Sequence, residues 1–127
     1  MTAETATWSF CIPGTLPSLN DYTRACRTGA RIGAAMKRKV EHAIAVYARI
    51  HHPPVFEGPV FVTFAWHEPH RRRDADNVAF AKKFILDALV RLGVLPGDGR
   101  RYVAGFADEF HLDRADPRVV VTIERRA

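Results

Sequence analysis

With 127 residues, 47% of them hydrophobic and 26% charged, the chain has the size and composition of one globular domain spanning residues 1–127; disordered, collagen-like and coiled-coil classes are excluded. Nineteen lysines and arginines against 14 acids leave a net charge of +5 and a pI near 9.7, a balance that favours polyanionic partners, nucleic acid first. No apolar run approaches the ~18–20 residues of a membrane span, residues 1–7 carry Glu4 and no apolar core of a signal peptide, and Cys11 and Cys26 form neither a disulfide scaffold nor a four-ligand zinc site by themselves, so a reduced, cytoplasmic setting is expected.

Residues 7–12 (TWSFCI) have strand composition and stop at the turn signal Pro13-Gly14. Residues 15–22 (TLPSLNDY) are rich in Pro, Ser, Asn and Asp and are expected to be loop. A basic stretch follows. Arg24, Arg27, Arg31, Lys37, Arg38 and Lys39 occur with no acid among them. A helix is expected from Gly33 or Ala34 to about Ile50, because Met36, Val40, Ile44 and Tyr47 recur at helical spacings, with Val46 and Ile50 widening the stripe. Pro53-Pro54 end it. Residues 60–66 (VFVTFAW) read as a strand, with Val62, Phe64 and Trp66 on one face and Phe61 on the other. The polar segment 67–77 (HEPHRRRDADN) comes next.

A second helix is expected from Ala75 or Asn77 to Leu92. Val78, Ala81, Ile85, Ala88 and Leu92 fall on one face, Phe84 and Leu89 lie beside it, and Gly93 is suited to end it. Residues 94–101 form a turn with one acid, Asp98. Residues 102–110 and 119–124 read as two further strands. The order β-α-β-α-β-β predicts a two-layer α+β domain with helices packed on a mixed sheet. Trp8, Phe10, Phe64 and Trp66 are expected to be core.

The segment from Arg71 to Asn77 carries the chemistry. Asp74 and Asp76 sit two apart at the start of an apolar-periodic helix, directly after Arg71, Arg72 and Arg73. Paired carboxylates suit a hard cation such as Mg²⁺, and guanidinium groups match phosphate geometry. Together they make what metal-assisted phosphodiester cleavage requires. The same residues also read as a helix cap and a solvated basic face. Lys83 lies seven positions after Asp76, so two helical turns return it to nearly the same face; it also suits a surface pair with Asp87. Asp98 reads either as a third carboxylate returning to the site or as an ordinary turn residue.

The order Pro17-Ser18-Leu19-Asn20-Asp21-Tyr22, then the Arg-rich Asp74-Ala75-Asp76-Asn77, then Lys82-Lys83-Phe84-Ile85-Leu86-Asp87-Ala88-Leu89, then Gly93-Val94 and Asp98, resembles the RusA-type Holliday junction resolvases, from Pro17 to Glu124. That resemblance implies a small α+β homodimer, of a type common in prophages, that cuts branched DNA into symmetric paired nicks with 5′-phosphate ends. It implies Mg²⁺ as cofactor, with Mn²⁺ as a substitute, and Asp74, Asp76 and Asp98 as metal ligands. It also implies a catalytic helix lysine. Aligned from the Asp87 end this is Lys83, with Lys82 the second choice; aligned from the Asp76 end the position is Phe80. Asn20, Tyr22 and Asn77 are implied as supporting residues. In this reading Arg71, Arg72, Arg73, Lys82, Arg24, Arg27, Lys37 and Lys39 meet DNA phosphates.

Three other readings compete. A basic DNA-binding module without catalysis accounts for the arginines but gains nothing from three carboxylates, which repel DNA. A related nuclease acting on flaps or forks is equally compatible. A zinc protein built on His67 and His70, or on His51-His52, lacks a recognisable ligand pattern.

Overall fold

The computed structural model describes residues 7–126, so the first-residue reading that excluded a signal peptide lies outside it. Four strands, β1 (Thr7–Pro13), β2 (Val60–Glu68), β3 (Val103–Leu112) and β4 (Arg118–Arg125), form one sheet in the order β1-β4-β2-β3. β4 runs antiparallel to both β1 and β2, and β3 runs parallel to β2. The sheet is therefore mixed, as predicted. A parallel pair needs a crossover rather than a hairpin; here it carries α3 (Ala75–Ala79) and α4 (Lys82–Leu92). The other helices, α1 (Leu19–Thr28) and α2 (Ala30–Ile50), connect β1 to β2. No described helix is long and apolar enough to cross a membrane.

Period-2 patterning sets the layers. In β2, Val60, Val62, Phe64 and Trp66 are buried while Phe61, Thr63 and Ala65 on the other face are half-buried. Phe10 and Ile12 of β1 and Val121 and Ile123 of β4 join the same apolar layer. Ile44, Phe84, Ile85 and Leu89 close it from the helix side.

Three expectations are corrected. Residues 19–22, expected to be loop, open α1. Ser18 Oγ accepts from the Asp21 N–H at 3.2 Å and Asp21 Oδ2 accepts from the Ser18 N–H at 2.9 Å, a reciprocal capping box. Ser, Asn and Asp belong to helix starts as well as loops, which is why composition misled. Val46 and Ile50 do not widen the buried stripe of α2. They stay exposed, because the buried positions are Gly33, Glu41, Ile44 and Ala48. The second helix is broken at Phe80–Ala81, where Lys83 N–H donates to the Phe80 carbonyl and Phe84 N–H to the Ala81 carbonyl, a tighter i→i−3 pattern.

Gly33 lets α1 and α2 approach closely: a Cβ there would lie 2.5 Å from Cys26 Sγ and 3.2 Å from Cys26 Cα. Gly33→Ala is therefore expected to destabilise the fold by about 1–3 kcal/mol through overpacking, against an intrinsic helix preference of about 1 kcal/mol for Ala. Adding Cys26→Ala should recover part of the loss in a urea double-mutant cycle. Additive losses would show that the contact is not the cause.

Candidate functional site

Beyond Glu68 the chain leaves the sheet, and an internal ion pair fixes its path. Arg73 Nε and Nη2 donate to Glu68 Oε1 and Oε2, each at 2.9 Å, while Nη1 donates to the Leu16 carbonyl at 2.9 Å. The Glu68 carboxylate is almost fully buried. Arg73, expected on phosphate, is thus committed inside the protein. Arg71 and Arg72 are exposed, and their side chains have no partner among the described residues.

Asp74 occupies the N-cap position of α3 in extended backbone, yet its side chain makes no cap hydrogen bond. Asp76 lies in the first turn. Both are exposed and neither carboxylate has a partner among the described residues. Asn77 Oδ1 accepts from the Asn20 backbone N–H at 2.9 Å, joining the start of α3 to the start of α1. Tyr22 stacks on Phe80 at 5.7 Å and meets Phe84 edge-on at 5.5 Å, with ring centroids as the reference points. It is a packing residue between α1 and the helix break. Phe80, the alternative lysine position, belongs to this aromatic cluster.

The geometry separates the two helix lysines. Lys82 Nζ pairs with Asp108 of β3 and lies 4.0 Å from the centre of the Phe106 ring. It is turned to the sheet and is not a free phosphate contact. Lys83 Nζ lies 3.0 Å from Asp98 Oδ2 and 3.1 Å from Asp87 Oδ1. The expected surface pair of Lys83 with Asp87 forms, and the turn aspartate Asp98 shares the same ammonium. Asp87 Oδ2 in turn lies 3.0 Å from Lys37 Nζ, and Lys37 lies 3.5 Å from Glu41. Lys37 is thus ion-paired, although over a third of its side chain stays exposed. Arg24, Arg27 and Lys39 are exposed, with Arg24 4.0 Å from Asp21.

Asp98 and Lys83 shift each other. The Lys83 hydrogen bond, followed by one with Asp87, holds the Asp98 carboxyl below the usual range. The Asp98 and Asp87 carboxylates raise Lys83 above the ordinary lysine value.

Among the described residues, no three histidine, cysteine or carboxylate groups are gathered so as to hold a metal ion. Asp74, Asp76 and Asp98 are thus not assembled as a triad. Asp74 and Asp76 fit a hard cation in chemistry, being unpartnered oxygen donors two residues apart. The Asp98 carboxylate is engaged instead by the Lys83 ammonium. Among the zinc candidates, His67, His70 and His51 are engaged elsewhere. His67 stacks on His111 at 4.6 Å, His70 Nδ1 accepts from the Arg72 N–H, and His51 Nδ1 meets the Tyr47 carbonyl.

The partners Glu41, Glu68 and Asp108 were not singled out from sequence. Asp108 is brought in by tertiary packing and Glu68 by the path of the chain beyond β2, at separations that periodicity does not report, whereas Asp87 and Glu41, each one turn from its lysine, carry a local signal.

The Lys83–Asp98 pair should remain charged across the neutral range. Its Asp98 contribution is complete above the unfolded carboxyl pKa and is lost as pH falls through the lower folded value. Asp98→Asn is expected to move Lys83 back toward its ordinary pKa without abolishing the Asp87 contribution, as read by side-chain NMR titration. An unmoved Lys83 titration would show that Asp98 does not hold it. Compared with known proteins, the chain matches no protein-family model and no curated sequence.

Proposed function

We propose that the protein is a Mg²⁺-dependent endodeoxyribonuclease that nicks branched DNA, resolving four-way junctions. The observation that carries this reading is the exposed, uncapped pair Asp74 and Asp76 beside the unpartnered Arg71 and Arg72. An aspartate that serves only as a cap would use its side chain on the helix N–H groups. This one leaves its oxygens free. Two hydrogen-bonded links support the reading further, because they join residues that the sequence resemblance groups together: Asn20 with Asn77, and Lys83 with Asp98.

In this reading Asp74 and Asp76 would hold the ion, with Asp98 the third ligand that the sequence resemblance implies. When bound, Mg²⁺ supplies charge stabilisation at the attacked phosphate and a more acidic water, and Mn²⁺ is expected to substitute. Arg71 and Arg72 hold the flanking phosphates by bidentate contacts. Lys83 keeps a positive charge beside the reacting group, held in place by Asp87. Arg24, Arg27 and Lys39 extend the phosphate contacts along α1 and α2.

A second copy completes the assembly. Phe106, Phe110 and Leu112 are about half exposed along β3, an edge strand. An apolar row on an unpaired edge is a surface that needs covering, and a two-fold axis makes it self-complementary. Two equivalent sites suit symmetric nicking. Phe110→Glu should yield a monomer by light scattering after size exclusion; an unchanged mass would place the contact elsewhere.

Cleavage of a synthetic four-way junction tests the reading directly, with linear duplex and flap controls and with and without Mg²⁺. Paired symmetric nicks that need metal are expected. Asp76→Asn should lose at least about 100-fold in nicking, since several kcal/mol of charge stabilisation depend on the ion, while junction binding persists. Salt-sensitive binding without cutting under any divalent metal would make the protein a DNA-binding module. Preference for flaps would make it a nuclease of another substrate.

A further inference from the structure

Between α2 and α4 runs a groove of about 150 Å³ that the candidate site does not use. Arg38, His42 and Arg49 of α2 and Arg91 of α4 line it, over a floor that includes Ala45 and Ala88. The α2 residues 38, 42, 45 and 49 follow the i, i+4, i+7, i+11 spacing of one helix face. Small side chains at the floor leave room above them, and cationic side chains rim it.

The charge of this groove is one-sided. Its lining holds three arginines against one acid, Glu41. Glu41 is almost fully buried, with Lys37 Nζ 3.5 Å from Oε2 and Arg91 Nη2 3.6 Å from Oε1, and Oε2 makes no hydrogen bond among the described residues. The buried carboxylate also draws Arg91 to the groove. Arg38 and Arg49 have no internal partner among the described residues. Eleven residues separate them, about 16 Å at 1.5 Å per residue.

Ion pairs tie the groove to Lys83: Lys37 bridges Asp87, which holds Lys83, to Glu41, which holds Arg91. Duplex DNA presents one phosphate per strand every ~3.4 Å of its axis, so a 16 Å row faces several of them.

We infer that the α2–α4 groove binds the phosphodiester backbone of a DNA arm leaving the cutting site, without reading its sequence. The inference rests on the proposed action on DNA. The ligand class is the phosphodiester chain, and the arginines are its counter-ions.

The test is the salt dependence of junction binding by fluorescence anisotropy in EDTA, where no cutting occurs. Each phosphate contact contributes a slope of about −0.9 in log K against log salt. The double variant Arg38→Gln, Arg49→Gln should shed nearly two units of slope and lose about tenfold or more in affinity at low salt. Arg49→Lys should keep its share. Both positions lie at the surface of α2, and circular dichroism checks that the fold is retained. Junctions whose arms are trimmed short should bind wild type and variant alike. An unchanged slope in the folded double variant overturns the inference. So does an equal loss of affinity for a free mononucleotide, which would mark a small-phosphate site instead. The two readings fail separately: a protein that never nicks yet shows the slope change defeats the nuclease reading alone, and a protein that nicks with an unchanged slope defeats the groove alone.

Discussion

The buried pair between Arg73 and Glu68 is the constraint on which the candidate site depends. It forms where β2 stops and the polar segment begins, and its third bond reaches the Leu16 carbonyl in the segment before α1. Three parts of the chain are pinned by one guanidinium. Two charges drawn partly out of water do not by themselves stabilise a fold, but removing one partner leaves the other uncompensated. What the pair supplies is placement. With Arg73 turned inward, Arg71 and Arg72 remain at the surface, and Asp74 starts α3 directly after the clamp. A run of three arginines that looks uniform in sequence is thus divided into one structural residue and two that face solvent.

The same division of labour recurs among the lysines. Lys82 and Lys83 are neighbours of the same type, and they do unrelated things because α4 presents them on different sides. Lys82 bridges to β3 across an aromatic surface, while Lys83 joins the turn after α4 back to its first turn. From there the ion pairs continue through Asp87, Lys37 and Glu41 to Arg91. Exposed ion pairs taken singly contribute little, but a chain of alternating sign fixes the relative position of α2, α4 and the turn carrying Asp98. These pairs match cation to anion one for one, so the net charge of +5 is carried by the cations left without a partner, and the unpartnered arginines define where a polyanion is drawn.

The architecture was largely readable from the sequence, because it rests on local periodicity. The alternation of Val62, Phe64 and Trp66 and the four-residue spacing of Val40 and Ile44 report burial directly. The start of α1 was not readable by composition, since Ser18 and Asp21 serve turns and helix caps equally; only their three-residue spacing carried the signal. The break at Phe80–Ala81 has no proline or glycine to announce it. Around the candidate site the Lys83–Asp87 pair was legible from its four-residue spacing, but the Lys83–Asp98 contact and the pairing of Arg73 and Lys82 were not. The acceptors Glu68 and Asp108 stand in β2 and β3, and charge counting along a chain does not reveal which cations are already matched.

The shortness of α3 has its own consequence. Five residues are too few to sustain a helix unaided, and the break after Ala79 denies α3 the support of a continuous α4. Its orientation is set from outside, through the hydrogen bond between Asn77 and the backbone of Asn20, 57 positions earlier in the chain. The direction in which Asp74 and Asp76 point is therefore coupled to how α1 begins. Sequence drift at the Ser18–Asp21 cap, remote from any carboxylate of the site, becomes a means of re-aiming the pair without altering it.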